Sequence, residues 1–94
     1  MTRRYARELA LQTLYSIELG RHEPSAALEP VLARTDLAEH RLFVRELVLG
    51  TLAHSEEADA VIAPLLRGWT LDRLPVLDRL LMRMAIYEMR AGEG

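Results

Sequence analysis

The spacing of the apolar residues is the feature that most restricts the fold of this chain. In the first segment, apolar residues recur every three or four positions, as one face of an α-helix requires. The stripe consists of Ala6, Leu9, Ala10, Leu14 and Ile17. Thr2 precedes this stripe as a candidate N-cap, and Gly20 follows it as a candidate left-handed C-cap. We therefore predict a first helix over residues 2–19, and no segment shows convincing strand alternation.

Two further helical segments follow. Ser25 is predicted to cap a second helix that runs toward residue 34, and Pro30 should make that helix short or bent. A third segment over residues 37–54 is apolar over a wide arc, which is typical of a central helix packed on several sides. A glycine weakens a helix interior, so Gly50 within this segment predicts a close approach between helices.

The remaining pattern predicts a fourth and a fifth helix. Ser55 opens the fourth, its early acids suit the positive end of the helix dipole, and Pro64 kinks or ends it. Asp72 or a neighbour is expected to cap the fifth, with Pro75 in its first turn. Its apolar side consists of Leu77, Leu80, Leu81, Met84, Ala85 and Tyr87. We predict an all-α bundle of about five helices in one domain over residues 1–94, with Leu81 in its core.

The residue types exclude several classes of function. The absence of cysteine rules out disulfides, thiolate metal sites and a cysteine nucleophile, and it is typical of a cytoplasmic protein. No stretch reaches the ~20 apolar residues of a membrane span. His54 has acids nearby in Glu57 and Asp59, but Ser55 is expected to start a new helix between His54 and Glu57. We expect no metal site, no cofactor, no catalytic residue and therefore no enzyme.

The distribution of charge favours a nucleic-acid surface at the N-terminus. The net charge is −2, yet Arg3, Arg4 and Arg7 all precede the first acid. Together with Tyr5 they supply cations for phosphates and a ring for an unstacked base, which single-stranded RNA requires. The alternative is an ordinary solvated charged face. Trp69 is either an anchor for a protein partner or a cap on the core.

Three segments resemble the NusB family, in the same order along the chain. Residues 3–15, RRYARELALQTLY, match the pattern R-x-x-A-R-E-x-A-x-Q-x-L-Y of the first NusB helix. Residues 43–50, FVRELVLG, resemble the central helix of the family. Residues 69–74, WTLDRL, and 77–89, LDRLLMRMAIYEM, resemble its connector and fifth helix.

The resemblance implies a non-enzymatic antitermination factor. NusB proteins pair with NusE, a small-subunit ribosomal protein, bind the boxA element of nascent ribosomal RNA as a single strand, and join the antitermination complex of RNA polymerase. The resemblance assigns RNA contacts to Arg3, Arg4 and Arg7, and Tyr15 matches a tyrosine near the RNA. It also assigns Asp72 and Asp78 to the surface shared by RNA and NusE.

Departures from the family pattern leave alternatives open. Tyr5 stands where some members have arginine, and the chain stops soon after Met89, where NusB proteins continue into further helices. We therefore expect a C-terminally truncated domain that self-associates or is marginally stable. One alternative is the NusB-like N-terminal domain of a ribosomal RNA cytosine methyltransferase, although the chain has no glycine-rich cofactor loop. Another alternative is a purely protein-binding helical module.

Overall fold

A computed structural model describes residues 2–93, and these residues form helices and no strand. The helices are α1 (Arg3–Gly20), α2 (Pro24–Ala33), α3 (Ala38–Ala53), α4 (Ser55–Ile62) and α5 (Val76–Glu93). Two 3₁₀ turns, Ala63–Leu65 and Leu71–Arg73, lie between α4 and α5. The predicted all-α class with five α-helices is confirmed. Within these residues, no helix combines the length and hydropathy needed to cross a membrane.

The chain divides into two compact units between Leu49 and Gly50, within α3. In the first unit, the buried apolar residues come from all three of its helices, and the predicted stripe of α1 is buried except at its last position. They are Ala6, Leu9, Ala10, Leu14, Leu28, Val31, Val44, Leu47 and Val48. Three successive amphipathic helices can therefore form a core within this unit.

The two ends of α1 show one correct prediction and one error. The Thr2 hydroxyl accepts the Tyr5 N–H at 3.1 Å, which confirms the predicted N-cap. The left-handed residue after the helix is Arg21, with φ of 54°, and not Gly20, which is the last residue of α1. A Cβ added to Gly20 would overlap the His22 ring. This glycine therefore allows a close approach of a side chain instead of a left-handed backbone.

The α2 helix is short, as predicted, but its cap is Glu23 and not Ser25. The Glu23 carboxylate accepts the Ser25 hydroxyl and also the Ala26 N–H at 3.2 Å. These hydrogen bonds hold the pKa of Glu23 below its ordinary value, and the one from the Ser25 hydroxyl has the largest effect. The helix begins two residues earlier than predicted because Pro24, with its fixed φ, occupies the first turn.

In the second unit, α4 ends where predicted and α5 begins later than predicted. Pro64 lies in the 3₁₀ turn that follows α4. Asp72 lies in the second 3₁₀ turn, and the Arg79 N–H donates to the Pro75 carbonyl at 3.1 Å. Asp72 therefore does not cap α5, because the helix begins at Val76 and its first backbone hydrogen bond is accepted by the Pro75 carbonyl.

Only two of the six residues predicted for the apolar side of α5 are buried, and Leu77, Leu81 and Ala85 are exposed. Leu80 and Met84 are buried, together with Ala58 and Ile62 of α4, whereas Leu81 is 48% exposed. Leu80 and Met84 are four residues apart and therefore share a face, while Leu81 is rotated by about 100° from Leu80. The prediction that Leu81 belongs to the core is wrong.

Two contacts in the second unit join distant parts of its sequence. A Cβ added to Gly50 would overlap the Tyr87 ring, so the predicted close packing at this glycine is confirmed. Arg83 Nε donates to Asp59 Oδ1 at 2.8 Å, and Nη2 donates to Oδ2 at 2.7 Å. Asp59 therefore forms a bidentate ion pair with α5, in addition to any favourable interaction with the dipole of α4.

We predict that Gly50→Ala lowers the free energy of unfolding by about 1–3 kcal/mol, because the new methyl group requires Tyr87 to move. Gly92→Ala is the matched control, since a Cβ at that helical position meets nothing within 4 Å. The control should be neutral or stabilising by up to ~1 kcal/mol. Urea unfolding measures both changes, and equal effects of the two substitutions would contradict the packing role of Gly50.

We also predict that Leu80→Ala lowers the free energy of unfolding by about 2–5 kcal/mol, because its side chain is almost fully buried. Leu81→Ala should cost less than ~1 kcal/mol, since that side chain is already half exposed. Thermal and urea unfolding of the two variants test this difference. A larger loss for Leu81→Ala would show that the face carrying Leu81 is the buried one.

Candidate nucleic-acid interface

The first two turns of α1 carry the three arginines that the sequence analysis assigned to RNA. All three are exposed, and the first turn contains no acidic residue. At about 100° per residue, Arg3 and Arg7 project about 40° apart, and Arg4 projects about 60° beyond Arg7. The positive end of the helix dipole adds to their charge at this end of α1. The local structure therefore concentrates positive charge on one side of a helix start.

A phenylalanine of α3 lies against two of these arginines. The Arg3 Cζ is 4.1 Å from the centroid of the Phe43 ring, and the Arg7 Cζ is 5.6 Å from it. Both distances are within the range in which a cation is attracted to the face of an aromatic ring. Phe43 is partly buried, whereas both arginines are exposed. The fold of the first unit thus brings together residues that are about 40 positions apart in sequence.

The two tyrosines assigned to RNA lie on different sides of α1. Tyr15 is 39% exposed and projects within about 20° of Arg4, three turns farther along the helix. Tyr5 is 48% exposed and projects roughly 160° from Arg7. Arg4 and Tyr15 therefore share one strip of the helix surface, whereas Tyr5 lies away from the pair formed by Arg3 and Arg7.

The residues assigned to a protein partner are exposed in the second unit. Asp72 lies in the 3₁₀ turn Leu71–Arg73, and Asp78 lies in the first turn of α5. Trp69 precedes both in the connector and is 61% exposed. A tryptophan with this exposure does not cap the core, so that alternative is excluded for Trp69. Its exposed ring is suited to anchoring a partner.

A second polar cluster lies where α4 and α5 face each other in the second unit. His54 Nδ1 is 3.3 Å from Glu57 Oε2, and Arg90 Nη1 donates to the same oxygen at 3.4 Å. The His54 ring also stacks on Tyr87, with centroids 5.7 Å apart. These residues line a cavity of about 280 Å³.

The contact between His54 and Glu57 forms even though Ser55 starts α4 between them, because His54 occupies the N-cap position. Within residues 2–93, no group of three or more histidines and carboxylates has an arrangement that could hold a metal ion.

Phe43 is the residue of the candidate interface that the sequence analysis did not identify. In sequence it is one of many apolar residues in the wide arc of α3, and its type and spacing predict burial. No local signal relates it to the arginines of α1. Only the packing of α1 and α3 within the first unit reveals the contact.

Comparisons with known proteins agree with the resemblance in the sequence. The model of the NusB family matches residues 4–91. The chain is 46% identical over 90 residues to the transcription antitermination protein NusB of Desulforamulus reducens, with 95% of this chain and 63% of the relative covered. The proteins of the same name from Symbiobacterium thermophilum and Geobacillus kaustophilus are 42% and 43% identical, with 99% of this chain covered in each case.

The chain spans 63–69% of the length of these three relatives. One solved structure with a similar fold is described as the crystal structure of a plectonemic RNA supercoil. The similarity to that chain has a TM-score of 0.81 at 28% identity, and it covers 89% of this chain and 62% of the other. The family match over residues 4–91, the identity to NusB proteins and the five-helix fold together show that this chain belongs to the NusB family.

Proposed function

We propose that this chain is a non-enzymatic RNA-binding adaptor in transcription antitermination. The observation that carries the proposal is the cluster of Arg3, Arg4 and Arg7, which are exposed at the start of a helix whose first turn contains no acid. Such a cluster concentrates cations and backbone dipoles where a phosphate chain can bind. The name of the relatives, transcription antitermination protein NusB, supports the same process.

The RNA that fits this surface best is a single strand of the boxA type. Tyr15 shares a strip of α1 with Arg4, so a base and a phosphate of one extended strand can be held along the same helix. Stacking needs an unpaired base, which a duplex does not present. Tyr5 supplies a further exposed ring at the same helix start. The boxA element itself follows from the resemblance to the NusB family.

The proposed protein partner is NusE, and through it the antitermination complex of RNA polymerase. We assign this contact to an NusE surface defined by Trp69, Asp72 and Asp78, which are exposed around the connector and the start of α5. An exposed aromatic ring provides apolar area, and exposed carboxylates a few residues away in sequence provide charge, for recognition of a basic protein segment. The cytoplasmic location predicted from the sequence belongs to the same proposal.

The two alternative functions predict different measurements. A purely protein-binding module has no salt-dependent affinity for RNA, whereas phosphate contacts weaken as salt rises. The N-terminal domain of a ribosomal RNA methyltransferase should bind structured ribosomal RNA and not respond to NusE. Binding of a short boxA-type RNA, measured with and without NusE over a salt series, therefore separates the three functions.

We predict that Arg4→Ala and Arg7→Ala each weaken binding of a fluorescein-labelled boxA-type RNA roughly threefold to tenfold, because each removes one charge-assisted phosphate contact. The slope of affinity against salt should fall by about 0.7 for each arginine removed. Fluorescence anisotropy measures both quantities. Arg67→Ala is the control, since Arg67 is an exposed arginine of the second unit. Unchanged affinity in both α1 variants would contradict the proposed RNA surface.

We also predict that Trp69→Ala reduces the additional RNA affinity that NusE provides, while binding of RNA by the chain alone stays unchanged. The physical reason is the loss of an exposed aromatic anchor, which commonly contributes about 2 kcal/mol or more at an interface. Calorimetric titration with NusE tests this expectation. Leu19→Ala removes a comparably exposed apolar side chain from α1 and is the control. Equal NusE affinity in the Trp69 variant and the wild type would remove Trp69 from the proposed surface.

A further inference from the structure

Gln12 is the only carboxamide side chain in this chain, whose sequence contains no asparagine. It lies in the middle of α1 and is exposed to solvent. Within residues 2–93, its amide group has no hydrogen-bond partner. A carboxamide presents two N–H donors beside a carbonyl acceptor, a combination that no arginine or carboxylate offers. The one side chain of this type therefore lies on the helix that carries the candidate RNA residues.

Gln12 and Tyr15 are neighbours on the surface of α1. They are three residues apart, so their Cβ atoms are separated by roughly 5–6 Å. A helical side chain leans toward the turn before its own Cα, which brings the Tyr15 ring toward the turn of Gln12. Tyr15 is 39% exposed, so its ring is accessible to an unpaired base. A base stacked on that ring has its hydrogen-bonding edge within reach of the Gln12 amide.

The charges along this side of α1 favour a base over a phosphate at Gln12. Glu8 is exposed and lies four residues before Gln12, so the two side chains are close on the helix surface. The Glu8 carboxylate repels the RNA backbone, whereas Arg4, one turn nearer the start of the helix, attracts it. A strand whose phosphate is held at Arg4 therefore presents a base, and not its backbone, to Gln12.

We propose that Gln12 reads the edge of the base that stacks on Tyr15 and selects adenine at that position. This inference rests on the proposed function, because it gives a sequence preference to the same RNA surface. Adenine presents an amino donor beside a ring-nitrogen acceptor, and one glutamine amide matches both groups. Guanine presents two acceptors at that edge, so the glutamine carbonyl would face an acceptor. Contacts to phosphates carry no sequence information, and Gln12 thus supplies selectivity that the arginines lack.

The test measures base preference as well as affinity. A set of labelled boxA-type RNAs carries adenine or guanine at each position in turn, and fluorescence anisotropy gives the Kd of each. For the wild type, adenine at one position should bind about fivefold or more tightly than guanine, which is the lower end for a bidentate pair. Gln12→Leu keeps an unbranched Cβ and a similar size, and it should abolish the preference at that position alone.

Two further variants are comparisons for Gln12→Leu. Arg4→Ala should weaken binding of all the RNAs by a similar factor and keep the adenine preference, because it removes a phosphate contact. Arg67→Ala, at an exposed position of the second unit, is the control and should change neither affinity nor preference. Circular dichroism melts confirm that each variant is folded.

A chemical change in the RNA tests the contact at the level of one group. Purine riboside in the place of the selected adenosine removes only the amino group of the base. The replacement should weaken binding to the wild type but not to Gln12→Leu, which has no carbonyl to accept the amino hydrogen. It should also have no effect on Tyr15→Leu, because the base is then no longer held beside Gln12.

The outcomes distinguish this inference from the proposed function. If the wild type shows no salt-dependent RNA binding, the proposed function is wrong and this inference falls with it. If the wild type binds RNA and Arg4→Ala weakens it, but Gln12→Leu keeps every base preference, only the base-reading role is wrong. That role is also overturned by a wild type without an adenine preference, by a uniform loss over all RNAs in Gln12→Leu, or by a purine riboside effect that persists in that variant.

Discussion

Burial of the apolar side chains of α3 is the constraint on which the first unit and its candidate interface depend. Val44, Leu47 and Val48 are almost completely removed from solvent. Each of these residues loses contacts if the helix rotates, because core side chains are closely packed. Phe43 directly precedes Val44, so the register that buries the core also determines where the Phe43 ring lies. Packing of the core therefore positions the Phe43 ring in the candidate RNA interface.

The charge distribution explains how a chain with net charge −2 can present a basic surface. In the second unit, Arg83 is held by Asp59, and Arg90 lies against Glu57. At the start of α1, by contrast, the first turn carries no acid, and Arg3 and Arg7 lie within cation–π range of the Phe43 ring. Cations paired with carboxylates contribute little field at a distance. The distribution of acids thus matters more for recognition than the net charge.

Two contacts hold the helices of the second unit together. The bidentate pair of Arg83 and Asp59 is partly shielded from solvent and joins α4 to α5. The close approach of Tyr87 to Gly50 joins the end of α3 to α5, because only glycine leaves room for the ring. These contacts organise the unit, while Trp69 and Leu81 remain exposed on it. Exposed apolar side chains next to a well-packed core commonly mark a site where another protein binds.

The amino-acid sequence by itself determined the helical class, the Thr2 cap, the close packing at Gly50, the list of candidate RNA residues and the family, because these depend on local spacing or on strings of residues. It did not determine which of two adjacent leucines is buried, since both Leu80 and Leu81 fit a wide apolar arc. The predicted cap of α2, Ser25, was wrong, because the Glu23 carboxylate accepts a backbone N–H of the first turn instead.

Tertiary structure decided the contacts between residues that are far apart in the sequence. The pairing of Asp59 with Arg83, 24 residues apart, and the placement of Phe43 under Arg3 and Arg7 arise only when helices pack. Periodicity within one helix carries no information about which partner helix a given face will meet.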